Sequence, residues 1–169
     1  LAFKYNNPAM ILADGIIGQM MEKVVLPPFT PRRTDDEIRK ECPWATLGKV
    51  GGRKRNVITS LELDAAVMEE NNLRFQAKYK KIEENEVRFQ EIMCDDAEYL
   101  LVAFGSSARI CQKVVELARE QGIKLGLLRP ITLWPFPTNI LKEYAEKVKG
   151  MLVVELNAGQ MVEDVRLAV

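Results

Sequence analysis

Three short apolar runs, at residues 99–104 (YLLVAF), 123–128 (IKLGLL) and 151–154 (MLVV), are each followed by a segment with helical spacing. Parallel strands need a crossover of a dozen or more residues between them, and an amphipathic helix is its usual content. Gly105, Ser106 and Ser107 open the first helix, in which Cys111, Val114, Val115 and Ala118 form one stripe. Gly122 stops it just past its last turn. Thr138 is placed to cap a helix over residues 139–149, with Ile140, Leu141, Tyr144, Ala145 and Val148 on its buried face and Gly150 at its end. A third helix is expected over residues 159–169. Unbroken apolar runs, rather than alternating ones, suit strands covered on both faces. The order β-α-β-α-β-α therefore predicts an α/β domain, a parallel sheet between two helix layers with right-handed crossovers.

In such a sheet the residues just after each strand share one edge, where α/β folds bind their ligands. This gathers Gly105, Ser106 and Ser107, Arg129, and Glu155 with Asn157 into one candidate site. Free amides and two hydroxyls at the start of the first helix suit an anion, with Arg129 as counter-charge. Helix capping and turn geometry are the preferred reading of the Gly-Ser-Ser turn over a ligand or partner contact, since neither GxGxxG nor GxxxxGK[ST] is present. The chain contains no histidine, so mechanisms that use imidazole are excluded within it. Glu155 alone is insufficient for general acid–base chemistry, and no catalytic residue is assigned. Cys42, Cys94 and Cys111 have no cluster-binding or zinc-binding spacing; they read as reduced thiols, and no metal site is assigned.

Ahead of this region the pattern is less regular. Residues 8–25 read as a short strand at 10–13 and then a helix capped by Asp14. From Leu26 to Arg55, Pro27, Pro28, Pro31, Pro43, Gly48, Gly51 and Gly52 break any regular element. This stretch reads as a linker anchored by Trp44, and the basic cluster Arg53-Lys54-Arg55 reads as a solvated turn in preference to a phosphate site. Residues 64–93 contain no Gly or Pro, and Met68, Phe75, Ile82 and Phe89 recur at heptad spacing, so one long helix with an apolar seam is expected. The chain opens on Leu1 and closes within a helical pattern, and is expected to be a piece of a longer protein.

The 24 basic and 24 acidic residues cancel, which disfavours nucleic acid and anionic membrane as partners. No apolar run approaches the roughly 20 residues that span a bilayer. A soluble, cytoplasmic protein is expected.

Several segments together resemble the α-subunit of 2-oxoacid:ferredoxin oxidoreductases, especially the branched-chain (2-oxoisovalerate) and related types. They are DDAEYLLVAFGSSARI (residues 95–110), EQGIKLGLLRPITLWPFP (120–137) and VVELNAGQM (153–161). The opening PAMILADGIIGQMME is similar to the end of that subunit's pyrimidine-binding domain, and RNVITS with NNLRFQAKYKKI to its interdomain connection. The resemblance implies three parts: residues 1–25 as the end of a pyrimidine-binding domain, 26–95 as linker and long helix, and 96–169 as a transketolase C-terminal-like domain. It implies an enzyme that uses thiamine diphosphate to decarboxylate a 2-oxoacid oxidatively. Electrons pass through iron–sulfur clusters to ferredoxin, and the acyl group goes to coenzyme A. Its partners would be a thiamine-diphosphate-binding β-subunit and an iron–sulfur subunit. For this segment it implies a structural or interface role, with the strand-end residues as contacts to coenzyme A or another subunit and neither cofactor held by the segment itself. Alternatives are a β-type subunit of a lipoamide-linked 2-oxoacid dehydrogenase and a non-enzymatic interaction module.

Overall fold

Leu101 and Leu100 are adjacent in the chain, yet they pack into opposite layers, and that alternation sets the architecture. A computed structural model describes residues 1–21, 23–46 and 48–169. They form two compact units, Leu1–Met20 with Leu73–Val169, and Met21–Asn72. The larger unit contains α1 (Ala2–Tyr5), β1 (Phe89–Ile92), β2 (Tyr99–Ala103), α4 (Gly105–Glu120), β3 (Leu125–Pro130), α5 (Thr138–Lys147), β4 (Gly150–Val154) and α6 (Met161–Ala168). The smaller contains α2 (Asp35–Glu41), and α3 (Ala65–Asn85) runs from the smaller unit into the larger.

The sheet order is β1-β3-β2-β4, with β2 parallel to both β3 and β4. Leu101 and Ala103 on one face pack with Leu127 of β3 and Ala108, Cys111 and Val115 of α4. Leu100 and Val102 on the other pack with Leu128, with Leu141 and Tyr144 of α5, and with Met161 and Val165 of α6. Both faces of β2 are buried, which is why its sequence is a continuous apolar run. The chain crosses from β2 to β3 in one direction and from β3 back past β2 to β4 in the other. The helices consequently lie on opposite faces, as right-handed crossovers require.

Local chemistry fixes the element ends. Gly122 has φ +77° after α4; its N–H bonds to the carbonyl of Arg119, and that of Ile123 to Ala118, both at 3.0 Å. That is a Schellman closure. Gly126 has a different reason to be glycine: a Cβ there would meet Ala97 Cβ and the Met93 carbonyl at 3.0 Å and Cys94 Sγ at 3.1 Å. Arg119 staples the end of α4 to the turn before β2, pairing with Asp96 at 2.7 Å and donating to the carbonyls of Leu125 and Met93 at 2.9 and 2.7 Å.

Four sequence expectations are corrected. The long helix ends at Asn85, and residues 89–92 instead form β1, an antiparallel strand beside β3 with Phe89 opposite Pro130. The heptad position of Phe89 is thus coincidental, and of the remaining seam only Ile82 is buried. Residues 10–13 form no strand, because no neighbour pairs with them; Asp14 caps only a 3₁₀ turn, Ile17–Gln19, by accepting the Ile17 N–H at 3.1 Å. Glu22 of the helix expected there, and Leu47 of the linker, lie outside the described residues. Finally, Thr138 is the first residue of α5 and makes no capping bond, Pro137 taking the cap position.

In the smaller unit, α2 begins with a reciprocal capping box between Thr34 and Glu37. Arg53 donates to the carbonyls of Gly48 at 2.8 Å and Ala45 at 2.6 Å, so it ties its own turn together.

Candidate functional site

The parallel strands β2, β3 and β4 bring their carboxyl ends to one edge of the sheet, and the six residues anticipated from sequence all lie there or in the following turns. Their roles differ. Gly105 is the first residue of α4 and has φ +56°, a conformation that side chains disfavour. Ser106 donates its hydroxyl to Asp14, while Ser107 is buried under the first turn. The bond from Ser106, with the amide of Ile17, holds the Asp14 carboxyl below its ordinary pKa. Arg129 is exposed at the end of β3, with a long 3.4 Å bond to Gln90 on β1.

Glu155 and Asn157 take local structural parts. The Glu155 carboxylate accepts the backbone N–H groups of Gln160, Met161 and Val162 at 3.2, 2.9 and 3.1 Å, which caps α6. Burial pushes its pKa up, but these three amides outweigh it and hold the carboxyl below its usual range. Asn157 Oδ1 accepts the Gly159 N–H at 2.8 Å, closing the turn before α6.

A cavity of about 720 Å³ in the larger unit joins Gly105 and Arg129, which share its wall with Ile82, Glu86, Phe104 and Trp134. Ser106, Ser107, Glu155 and Asn157 are not among its lining residues. Its apolar walls with a few polar groups match the usual composition of a ligand pocket. Tyr79 of α3 packs edge-on against Trp134, with ring centroids 5.8 Å apart.

Sequence reasoning missed Glu86, which lies within residues 64–93, the stretch expected to be one long helix. Its side chain is only 6% exposed. Lys4 Nζ and Tyr5 Oη donate to its Oε1 at 2.5 and 2.7 Å, and Arg88 lies 3.6 Å from Oε2. The Lys4 bond first, and the Tyr5 bond second, hold this carboxyl below its ordinary pKa. No local pattern signals it, because two of its three partners, Lys4 and Tyr5, lie 82 and 81 residues away at the start of the sequence.

Glu86 and Glu155 are each committed to internal donors. Among the described residues, no group of three or more Cys, His, Asp or Glu side chains is placed to hold a metal ion. Cys94 and Cys111 are buried in opposite core layers, and Cys42 is buried in the smaller unit. These thiols, each in a separate layer or unit, therefore do not fit an iron–sulfur cluster. No helix among the described residues is long and apolar enough to cross a membrane.

Residues 97–169 match the model of the pyruvate:ferredoxin oxidoreductase core domain II. The chain is 46% identical over 168 residues to the ketoisovalerate oxidoreductase subunit VorB of Methanothermobacter marburgensis, an alignment that covers 99% of this chain and 46% of that one. It is 30% identical over 171 residues to the 2-oxoglutarate synthase subunit KorA of Archaeoglobus fulgidus, covering 98% and 46% respectively. The chain thus spans about half the length of these curated relatives. Among solved structures, a 2-oxoglutarate:ferredoxin oxidoreductase from Magnetococcus marinus, with 2-oxoglutarate, coenzyme A and succinyl-CoA bound, superposes with a TM-score of 0.63. At 18% identity, over 70% of this chain and 22% of that one, the likeness is one of fold.

Proposed function

Because this chain belongs to the 2-oxoacid:ferredoxin oxidoreductase family, we propose that it is part of the α-subunit of an enzyme that oxidatively decarboxylates a 2-oxoacid to an acyl-CoA and passes the electrons to ferredoxin. The observation that carries this reading is the near-complete alignment of the chain with a ketoisovalerate oxidoreductase subunit. A branched-chain 2-oxoacid is the corresponding substrate class. In the proposed assembly, residues 1–25 end a pyrimidine-binding domain, 26–95 connect, and 96–169 form the transketolase C-terminal-like domain of a cytoplasmic complex.

In the assembled complex, bound thiamine diphosphate would supply the chemistry of decarboxylation and iron–sulfur clusters that of electron transfer. In this reading both belong on other parts of the complex, the β-subunit and the iron–sulfur subunit, in keeping with three thiols here that do not fit a cluster. The contribution of this segment is to shape an interface. Gly105 and Arg129, which share a cavity wall, are the residues best placed to touch coenzyme A or a neighbouring subunit; Glu155 and Asn157 hold the adjoining turn in shape.

The test is anaerobic reduction of a viologen dye by the purified full complex. Reduction that requires both coenzyme A and a 2-oxoacid, with 2-oxoisovalerate preferred, is the expected result. Absence of reduction with a panel of straight-chain, branched-chain and dicarboxylic 2-oxoacids would overturn it.

A further inference from the structure

Lys78, Ile82 and Glu86 follow one another at intervals of four along α3 and the residue after it, where the Glu86 N–H still bonds to the Ile82 carbonyl at 2.9 Å. That spacing puts the three side chains on one face of the helix. The two outer residues meet one short stretch of chain. Lys78 donates to Asn7 Oδ1 at 3.0 Å, and the Glu86 carboxylate accepts from Lys4 and Tyr5 at 2.5 and 2.7 Å. Between them Ile82 is only 5% exposed, yet it belongs to neither core layer of the sheet, and it shares a cavity wall with Leu1 and Tyr5. An apolar centre between polar flanks is the make-up of a contact surface with its rim.

Exposed ion pairs contribute little, whereas taking one partner from an enclosed charge leaves that charge uncompensated. Glu86 is the enclosed case. Its Oε1 takes both donors, and Arg88 lies 3.6 Å from Oε2. With both oxygens engaged internally, Glu86 acts through Lys4 and Tyr5 and not on a ligand. We propose that the Lys78–Ile82–Glu86 face of α3 is the seat that sets the end of the pyrimidine-binding domain against the C-terminal-like domain, with Glu86 as a positioning residue for the reaction. The positioning role rests on reading residues 1–25 as the end of that domain. The seat itself, a coupling of residues 4–7 to α3, does not.

The test uses the full complex with Glu86→Gln, with the pair Lys4→Met and Tyr5→Phe, and with all three substitutions together. In hydrogen–deuterium exchange, Glu86→Gln should speed the peptides spanning residues 1–7 and 78–88 by about fivefold while β2 and α4 keep their rates. In the viologen assay it should lower kcat by about tenfold and leave KM for the 2-oxoacid within about twofold, the mark of lost alignment. The pair should behave alike, and adding Glu86→Gln to it should change neither readout further, because the groups act as one unit. Additive effects would overturn the seat. So would residues 1–7 that ignore Glu86→Gln, or exchange that rises evenly over all peptides. Tyr5→Phe alone, which removes one hydroxyl, gives the same comparison if Glu86→Gln does not assemble; no change at residues 78–88 then overturns the seat. Exchange as expected with an unchanged kcat would remove the positioning role and keep the seat. A wild-type complex that reduces no viologen would remove the enzyme reading, and the exchange result would still decide the seat.

Discussion

Glu155 accepts the backbone N–H of Met161 at 2.9 Å, so the residue that follows β4 caps the helix that begins six residues later. Two further amides of the same turn, from Gln160 and Val162, share the carboxylate. Replacing Glu155 with Ala should cost about 1–2 kcal/mol of stability, the usual loss when a helix loses its cap. A denaturant midpoint that falls while the slope is unchanged is the expected signature. Because the folded carboxyl titrates below its unfolded value, this stabilisation is complete above the ordinary carboxylate range of about pH 4 and disappears as pH falls through the folded pKa.

Gly126 is predicted to be the least replaceable glycine. A methyl group at this position meets a backbone carbonyl and two side chains at 3.0–3.1 Å, none of them the flexible end of a long chain. Gly126→Ala should destabilise by about 1–3 kcal/mol, read as a lower thermal midpoint.

Arg119 acts through the fork of its guanidinium, which meets Asp96 and two carbonyls at once. Arg119→Lys keeps the charge but cannot make all three bonds, so it should lose about 1–2 kcal/mol. A lysine variant as stable as wild type would show that charge alone holds the turn.

Burial pushes the thiols of Cys94 and Cys111 above their ordinary pKa. Both should resist iodoacetamide at neutral pH in the native protein and react together once the larger unit unfolds. Pulsed alkylation followed by mass spectrometry measures this; fast native labelling at either position would contradict the packing described.

The sheet was legible in the sequence where burial on both faces left unbroken apolar runs, as at residues 100–103, and where Gly122 marked the end of a helix. β1 was not, because Phe89 fell at heptad spacing from Ile82, no Gly or Pro separates them, and Phe89-Gln90-Glu91-Ile92 shows no period-two alternation that would mark a strand. Residues 10–13 show the reverse case, an apolar run with no strand beside it. For the site, sequence located the strand-end residues but not their employment. Glu155 bonds to amides that carry no side-chain signature, and Glu86 is buried by Lys4 and Tyr5, a relation that only the fold creates.

The central position of β2 also bears on the route by which the sheet assembles. Its partners in β3 lie about half as far along the chain as its partners in β4, and halving a loop lowers the entropy lost on closing it by about 0.6 kcal/mol. The β2–α4–β3 crossover, which supplies every fully buried residue of its apolar layer, is the natural nucleus, and β4 joins afterwards. Substitutions at Val115 or Leu127 should therefore slow folding, while those at Val153 should mainly hasten unfolding.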